Sequence, residues 1–187
     1  MGTLRSSASA KAKRKKSLWR DKRGSSAVEF AIVVPLFFAL TFSIIEAGWF
    51  FFVNSAVDAA TAKASRLVRT RQVQDGAIDR DAFFDEICQV VKLFGDCNTQ
   101  LTVDVQRFND FTELAADTSS TVCRNADPAD VSGLPYDAGA QRDIVRVRIC
   151  YLHQAVNPGL GLRLEEADGS RKKMIATAIF RNEPFEN

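Results

Sequence analysis

Residues 24–53 read GSSAVEFAIVVPLFFALTFSIIEAGWFFFV, and this stretch decides the architecture. Between Phe30 and Ile45 there are 16 residues without a formal charge, and apolar character extends from Ala27 to Val53. At ~1.5 Å per residue that tract makes about 40 Å of helix, enough to cross a hydrocarbon core of ~30 Å. A buried helix of a soluble core is the competing reading; apolarity on every side and the wealth of Phe favour the membrane. A removable signal peptide is a second competitor. Its apolar region should be shorter and end at a small-residue cleavage site, whereas Ala60-Thr61-Ala62 lies well beyond the tract.

Charge gives the direction. Residues 1–23 hold nine Lys or Arg against one acid, a net +8, and the remainder carries 16 bases against 22 acids, a net −6. The positive-inside rule therefore expects a cytoplasmic N-terminus, a single pass and a periplasmic C-terminal domain in a bacterial inner membrane. The large part is acidic, which disfavours nucleic acid as a partner. The basic run Lys13-Arg14-Lys15-Lys16 fits the anionic cytoplasmic leaflet instead.

Gly24 sits where the basic leader meets the apolar tract, and Glu29 follows five residues later. Glycine leaves an extended, accessible backbone at the membrane surface. A carboxylate inside lipid costs roughly 2.5–3.5 kcal/mol at a helix centre and less near its end, so it usually has a partner. The blander alternative leaves Glu29 at headgroup level. The string KRG-SSAVEFAIVVPLFF looks like a class III (type IV prepilin) signal. That resemblance implies cleavage between Gly24 and Ser25 by a prepilin peptidase, retention of the helix, and pairing of Glu29 with the new amine of a neighbouring subunit. The segment is also similar to the N-terminus of the TadE/TadG-like family of the tight-adherence (Tad/Flp) pilus system. The matching elements are Arg23-Gly24, Ala27-Val28-Glu29-Phe30-Ala31, Pro35, Ile44-Ile45-Glu46 and Gly48. At the other end, Phe180-Arg181-Asn182-Glu183-Pro184-Phe185 looks like the family's closing motif. Ala47 departs from the family pattern, where many members carry an aromatic residue. Pro35 lacks an amide donor and can kink the helix, and Gly48 permits close helix approach.

Beyond Val53, Val57, Ala60, Ala64, Leu67 and Val68 recur at helical spacing, which predicts one stem from about Ser25 to Arg69; a separate short helix after a break is the alternative. Asp81–Phe94 is a second, amphipathic helix, capped by Asp79 or Asp81 and closed by Gly95. Leu101–Val105 and Val145–Tyr151 alternate as half-buried strands. Residues 112–142 read as loop, Asn157-Pro158-Gly159 as a turn, and Met174–Phe180 as a third strand. The expected fold is α+β, pilin-like: a long transmembrane and spine helix (25–71) after a cleaved leader (1–24), then a periplasmic domain (72–187). In that domain one helix packs on a roughly three-stranded, mainly antiparallel sheet.

Four cysteines on an oxidising side favour disulfides. Of three possible pairings, Cys88–Cys97 and Cys123–Cys150 are preferred, with free thiols as the alternative; no C-x2-C knuckle supports zinc, so no metal is expected. Cys150 and His153, three apart on a strand, face opposite ways and form no nucleophile–base pair. Glu165, Glu166 and Asp168 beside Arg171 read as a solvated hairpin end. Gly159-Leu160-Gly161 lacks the context of a phosphate loop. No catalysis and no cofactor are expected. The resemblance implies a minor pilin or pseudopilin in pilus assembly or adhesion. Its implied partners are the prepilin peptidase, a sibling pseudopilin, pilus subunits and the inner-membrane assembly machinery. The alternative is a single-pass anchored periplasmic binding or sensor module.

Overall fold

The computed structural model describes residues 25–74, 76, 78–123, 134–154 and 171–184. The leader, the 157–159 turn, the 165–168 cluster and Phe185 lie outside these residues. The elements are α1 (Ser25–Arg69), α2 (Arg80–Val91), α3 (Cys97–Gln100), β1 (Leu101–Phe108), α4 (Phe111–Ala116), β2 (Ile144–His153) and β3 (Lys172–Arg181). The class is α+β: a long apolar N-terminal helix followed by a small domain with helices and an antiparallel sheet ordered β1-β2-β3. Two compact units divide the chain, one through Phe38 and one from Ala39 onward.

In the first unit the described chain is helical throughout, with Pro35 inside the helix. In the second unit α1 continues, and its character changes. From Val53 on, the buried apolar positions of α1 are Val53, Val57, Ala60, Ala64 and Val68, each at or below 1% exposure. Steps of three and four place them on one stripe. They join Phe83, Ile87 and Val91 of α2 and one face of the sheet in a single core that includes Leu101, Val105, Val147, Ile149 and Tyr151. The basic residues Arg66 and Arg69 occupy the last turn of α1, where the helix dipole favours them.

Asp79 caps α2, accepting from the amide of Ala82 at 2.8 Å. Gly95 does not close that helix. α2 ends at Val91, and its C-cap Lys92 remains right-handed while donating its amide to Cys88. Gly95 has another reason: a Cβ there would lie 1.7 Å from Gln100 Oε1 and 2.9 Å from the Tyr151 hydroxyl. Gln100 is itself fixed, donating its amide to the Leu152 carbonyl at 3.1 Å. The span 112–142 is likewise not all loop, because Asp110 caps the short helix α4 by accepting from the amide of Glu113 at 2.7 Å.

The largest departure from the sequence reading is the second face of the sheet. Alternation predicted that Arg146 and Arg148 would point to solvent. Every residue of β2 is buried. The register sets Arg148 opposite Asp104 and Arg146 opposite Gln106, and both pairs bond across the strands. Arg148 Nε donates to Asp104 Oδ2 at 2.8 Å, and Arg146 donates to Gln106 Oε1 at 2.8 Å. Residues 117–123 then form a strap over these side chains. The Ser119 carbonyl accepts from Arg148 at 2.8 Å, and Asp117 lies 2.5 Å from Arg146. The amide and hydroxyl of Ser119, followed by Arg146, hold the Asp117 carboxyl down at about 2. At the end of the strap Cys123 is bonded to Cys150, and a second disulfide joins Cys88 to Cys97.

Breaking a buried ion pair by removing one partner costs about 3–5 kcal/mol, whereas an exposed pair contributes about 1 kcal/mol or less. Asp104→Ala should therefore destabilise the full chain in detergent micelles by about 3–5 kcal/mol. Arg107→Ala, which loses its half-exposed contacts to Asp137 and Asp143, should cost less than about 1 kcal/mol. Urea unfolding of both variants checks the ranking; equal losses would refute it.

Candidate functional site: the apolar helix, its buried acid and the C-terminal latch

The residues singled out by sequence fall on two elements, α1 and the end of β3. Gly24 lies just outside the described residues, and Ser25 begins α1. Glu29 is exposed, as is Phe30 at 69%. Val28, Ile32, Val33, Leu36 and Phe37 are all at least 60% exposed. A helix surface this apolar on every side is stable only against lipid or other apolar helices. Among the described residues, α1 is the one helix long and apolar enough to cross a membrane, and it has the build of an N-terminal anchor. Gly48 is exposed, and a Cβ built there meets no other atom within 4 Å. Nothing that the described residues place around it calls for glycine.

Glu46 behaves differently from its neighbours. It is 1% exposed, while Ile44 and Ile45 are 73% and 56% exposed. Its Oε1 lies 3.7 Å from Nε2 of His153, the last residue of β2. Phe50, one turn further along α1, packs edge-on against the imidazole at a centroid distance of 5.7 Å. His153 shares the helix-facing side of β2 with Tyr151 and Ile149, whereas Cys150 is on the strap side in its disulfide. The two therefore form no catalytic pair. The sequence marks Glu46 as a motif residue and reads His153 only as no partner for Cys150. Their meeting was not legible, because 107 positions separate them and only the sheet register carries β2 back to α1.

Burial pushes the His153 imidazole below its usual 6.5, with the Glu46 carboxylate opposing that shift. Burial in the fold thus disfavours the charged imidazolium.

The closing residues of the chain form a latch. Arg181 donates to the Arg142 carbonyl at 2.7 Å. Asn182, 3% exposed, donates its side-chain amide to the carbonyls of Ala138 and Ala140 at 2.8 and 2.9 Å. Glu183 pairs with Arg69 of α1 at 3.2 Å, and Pro184 follows it. Ile179, Phe180, Arg66 and Arg69 line an open groove beside this pair. Its hydroxyls are turned to the helix backbone, Ser65 donating to the Thr61 carbonyl and Thr70 to the Arg66 carbonyl. Among the described residues no three His, Cys, Asp or Glu side chains gather as metal ligands.

A histidine whose folded pKa is depressed binds fewer protons than the unfolded chain between that pKa and about 6.5, so stability falls as pH drops through this window. The urea midpoint of the full chain in micelles should therefore decline between pH 7.5 and pH 5. His153→Gln should flatten that decline. A wild-type midpoint that rises on acidification would contradict the assignment.

No curated protein and no solved structure matches the chain. The family model described as TadE-like protein matches residues 24–66, the apolar tract together with most of the buried stripe of α1, so that over this segment the chain is similar to TadE-like pilus proteins.

Proposed function

We propose that the protein is a minor pilin or pseudopilin of a Tad-type pilus, working through protein–protein contacts in assembly or adhesion. The observation that carries this reading is the placement of the family match. It begins at Gly24, takes in Glu29, Pro35, Glu46 and Gly48, and ends within the buried half of the helix. In this reading residues 1–24 are a cytoplasmic leader, 25–71 the transmembrane and spine helix, and 72–187 a periplasmic domain. A prepilin peptidase cuts between Gly24 and Ser25, and the helix stays in the inner membrane. Glu29 then pairs with the freed amine of an adjacent subunit, which lowers the cost of keeping a carboxylate near lipid. The oxidising periplasm suits the two disulfides. TadE-like pilus proteins are structural rather than enzymatic, and no catalytic step is assigned here.

Gly48 supports an association role. A small residue on an apolar helix lets a second helix approach closely, and the described residues do not fill that space. Sibling pseudopilins, pilus subunits and the inner-membrane assembly machinery are the partners that this face fits.

N-terminal sequencing of the membrane-fraction protein, co-expressed with its peptidase, should begin at Ser25, and Gly24→Leu should leave the precursor uncut. A native start at Met1, with active peptidase present, would remove the pilin reading and favour an anchored binding or sensor module. Gly48→Leu should leave stability unchanged or raised by up to about 1 kcal/mol, since glycine is a poor helix former. The same change should deplete co-purifying subunits; undiminished recovery would show that the position is not a contact.

A further inference from the structure

Glycine 95 and the residues before it form a corner of unusual exposure. Leu93, just past the end of α2, is 79% exposed, more than any other large hydrophobic residue among those described. It does not dangle. The Lys92 amide donates to Cys88, and the Phe94 amide donates to Val91. The Cys88–Cys97 disulfide ties the two sides of the corner together, and Gly95 is seated against Gln100 and Tyr151. The fold thus holds an apolar side chain out rigidly, which costs little further entropy on binding.

What lies beside the corner indicates the occupant. The Phe94 ring packs on Trp49 and Phe52 of α1, at centroid distances of 5.5 and 5.3 Å. Phe52 and the adjacent Phe51 are themselves 56% and 70% exposed. The patch is therefore continuous with the exposed apolar surface of the helix. Along α1, the run Ser26–Ile45 alone accounts for about 30 Å of helix, a full hydrocarbon thickness. Trp49, Phe51 and Phe52 follow within two turns, where the interfacial layer begins and aromatic residues are favoured. Lys92 is exposed next to Leu93, and a lysine at this depth extends its ammonium toward lipid phosphates.

We propose that the Lys92-Leu93-Phe94 corner is a second membrane contact, inserted into the headgroup–acyl boundary of the leaflet from which α1 emerges. The domain is then fixed to the bilayer at two points rather than one. The helix prevents escape, and the corner sets the domain's tilt and rotation on the surface. The occupant is phospholipid, because the patch continues a surface that already faces lipid. This placement rests on α1 crossing the bilayer.

The test uses the full chain, one copy per nanodisc, in mixed phosphatidylcholine and phosphatidylglycerol. Leu93→Trp is placed in a Trp19→Phe, Trp49→Phe background as the single fluorophore. Phosphatidylcholine brominated near the glycerol end of its acyl chains should quench the emission at least about twofold, and aqueous iodide should quench it weakly. In the unmodified protein, a doxyl lipid should broaden the Leu93 methyl resonances more than a soluble gadolinium chelate does. Strong iodide access without bromine quenching, or the reverse methyl pattern, overturns the proposal even when the protein floats with vesicles through alkaline carbonate. Protection that appears only with several copies per disc overturns it in favour of a second chain as occupant. Failure to float overturns it together with the anchor reading.

Discussion

A strand buried on both faces cannot carry arginines unless other groups replace the water they lose, and β2 is such a strand. Its solution is register. Asp104 and Gln106 of β1 stand directly across from Arg148 and Arg146, so pairing the two strands in the apolar register also pairs the charges. A slip of one residue would turn the valines out and strand the guanidinium groups at once. The strap 117–123 supplies further acceptors, and Cys123–Cys150 fastens it at the next position on the same face of β2. The helical layer on the opposite face depends on this indirectly. Only a sheet fixed in that register presents Val145, Val147, Ile149 and Tyr151 together to α1 and α2.

With the sheet so fixed, its ends become useful. β2 ends at His153, against Glu46 and Phe50. β3 ends at Arg181, which with the following Asn182 and Glu183 reaches back to the 138–142 segment and to Arg69. The second half of α1 is thereby gripped near both of its ends, by a buried acid–imidazole contact at one and by an exposed ion pair at the other. This gives the closing residues a role within the chain. Asn182 in particular is consumed by backbone carbonyls and is a fold determinant.

The helical half of this architecture was readable because its signals are local. The apolar tract, the stripe from Val53 to Val68 and the acid at Asp79 each declare themselves within a few residues. The antiparallel strands were readable too, from the alternation of Val145, Val147, Ile149 and Tyr151, though each strand runs further than the alternation suggested. Arg146 and Arg148 misled, since alternation reports only that a residue differs from its neighbours and takes polar to mean wet. What covers them is Ser119, a serine in a stretch with loop composition, and no periodicity marks such a residue. Gly95 misled in a related way: a glycine after a helix reads as a stop, while here it makes room for Gln100 and Tyr151. The nearness of Glu46 and His153 had no local signal at all.

The change of character along α1 has an evolutionary corollary. Up to about Phe38 the described helix carries mainly outward-facing apolar side chains, a setting that accepts Leu, Ile, Val or Phe almost interchangeably. From Val53 onward the same helix meets shaped neighbours, and Ala60 and Ala64, both fully buried, leave no volume for a larger residue. One continuous element is thus written in two alphabets. Drift should accumulate freely among greasy residues in the first stretch, while in the second it should be confined to the positions that face away from the core.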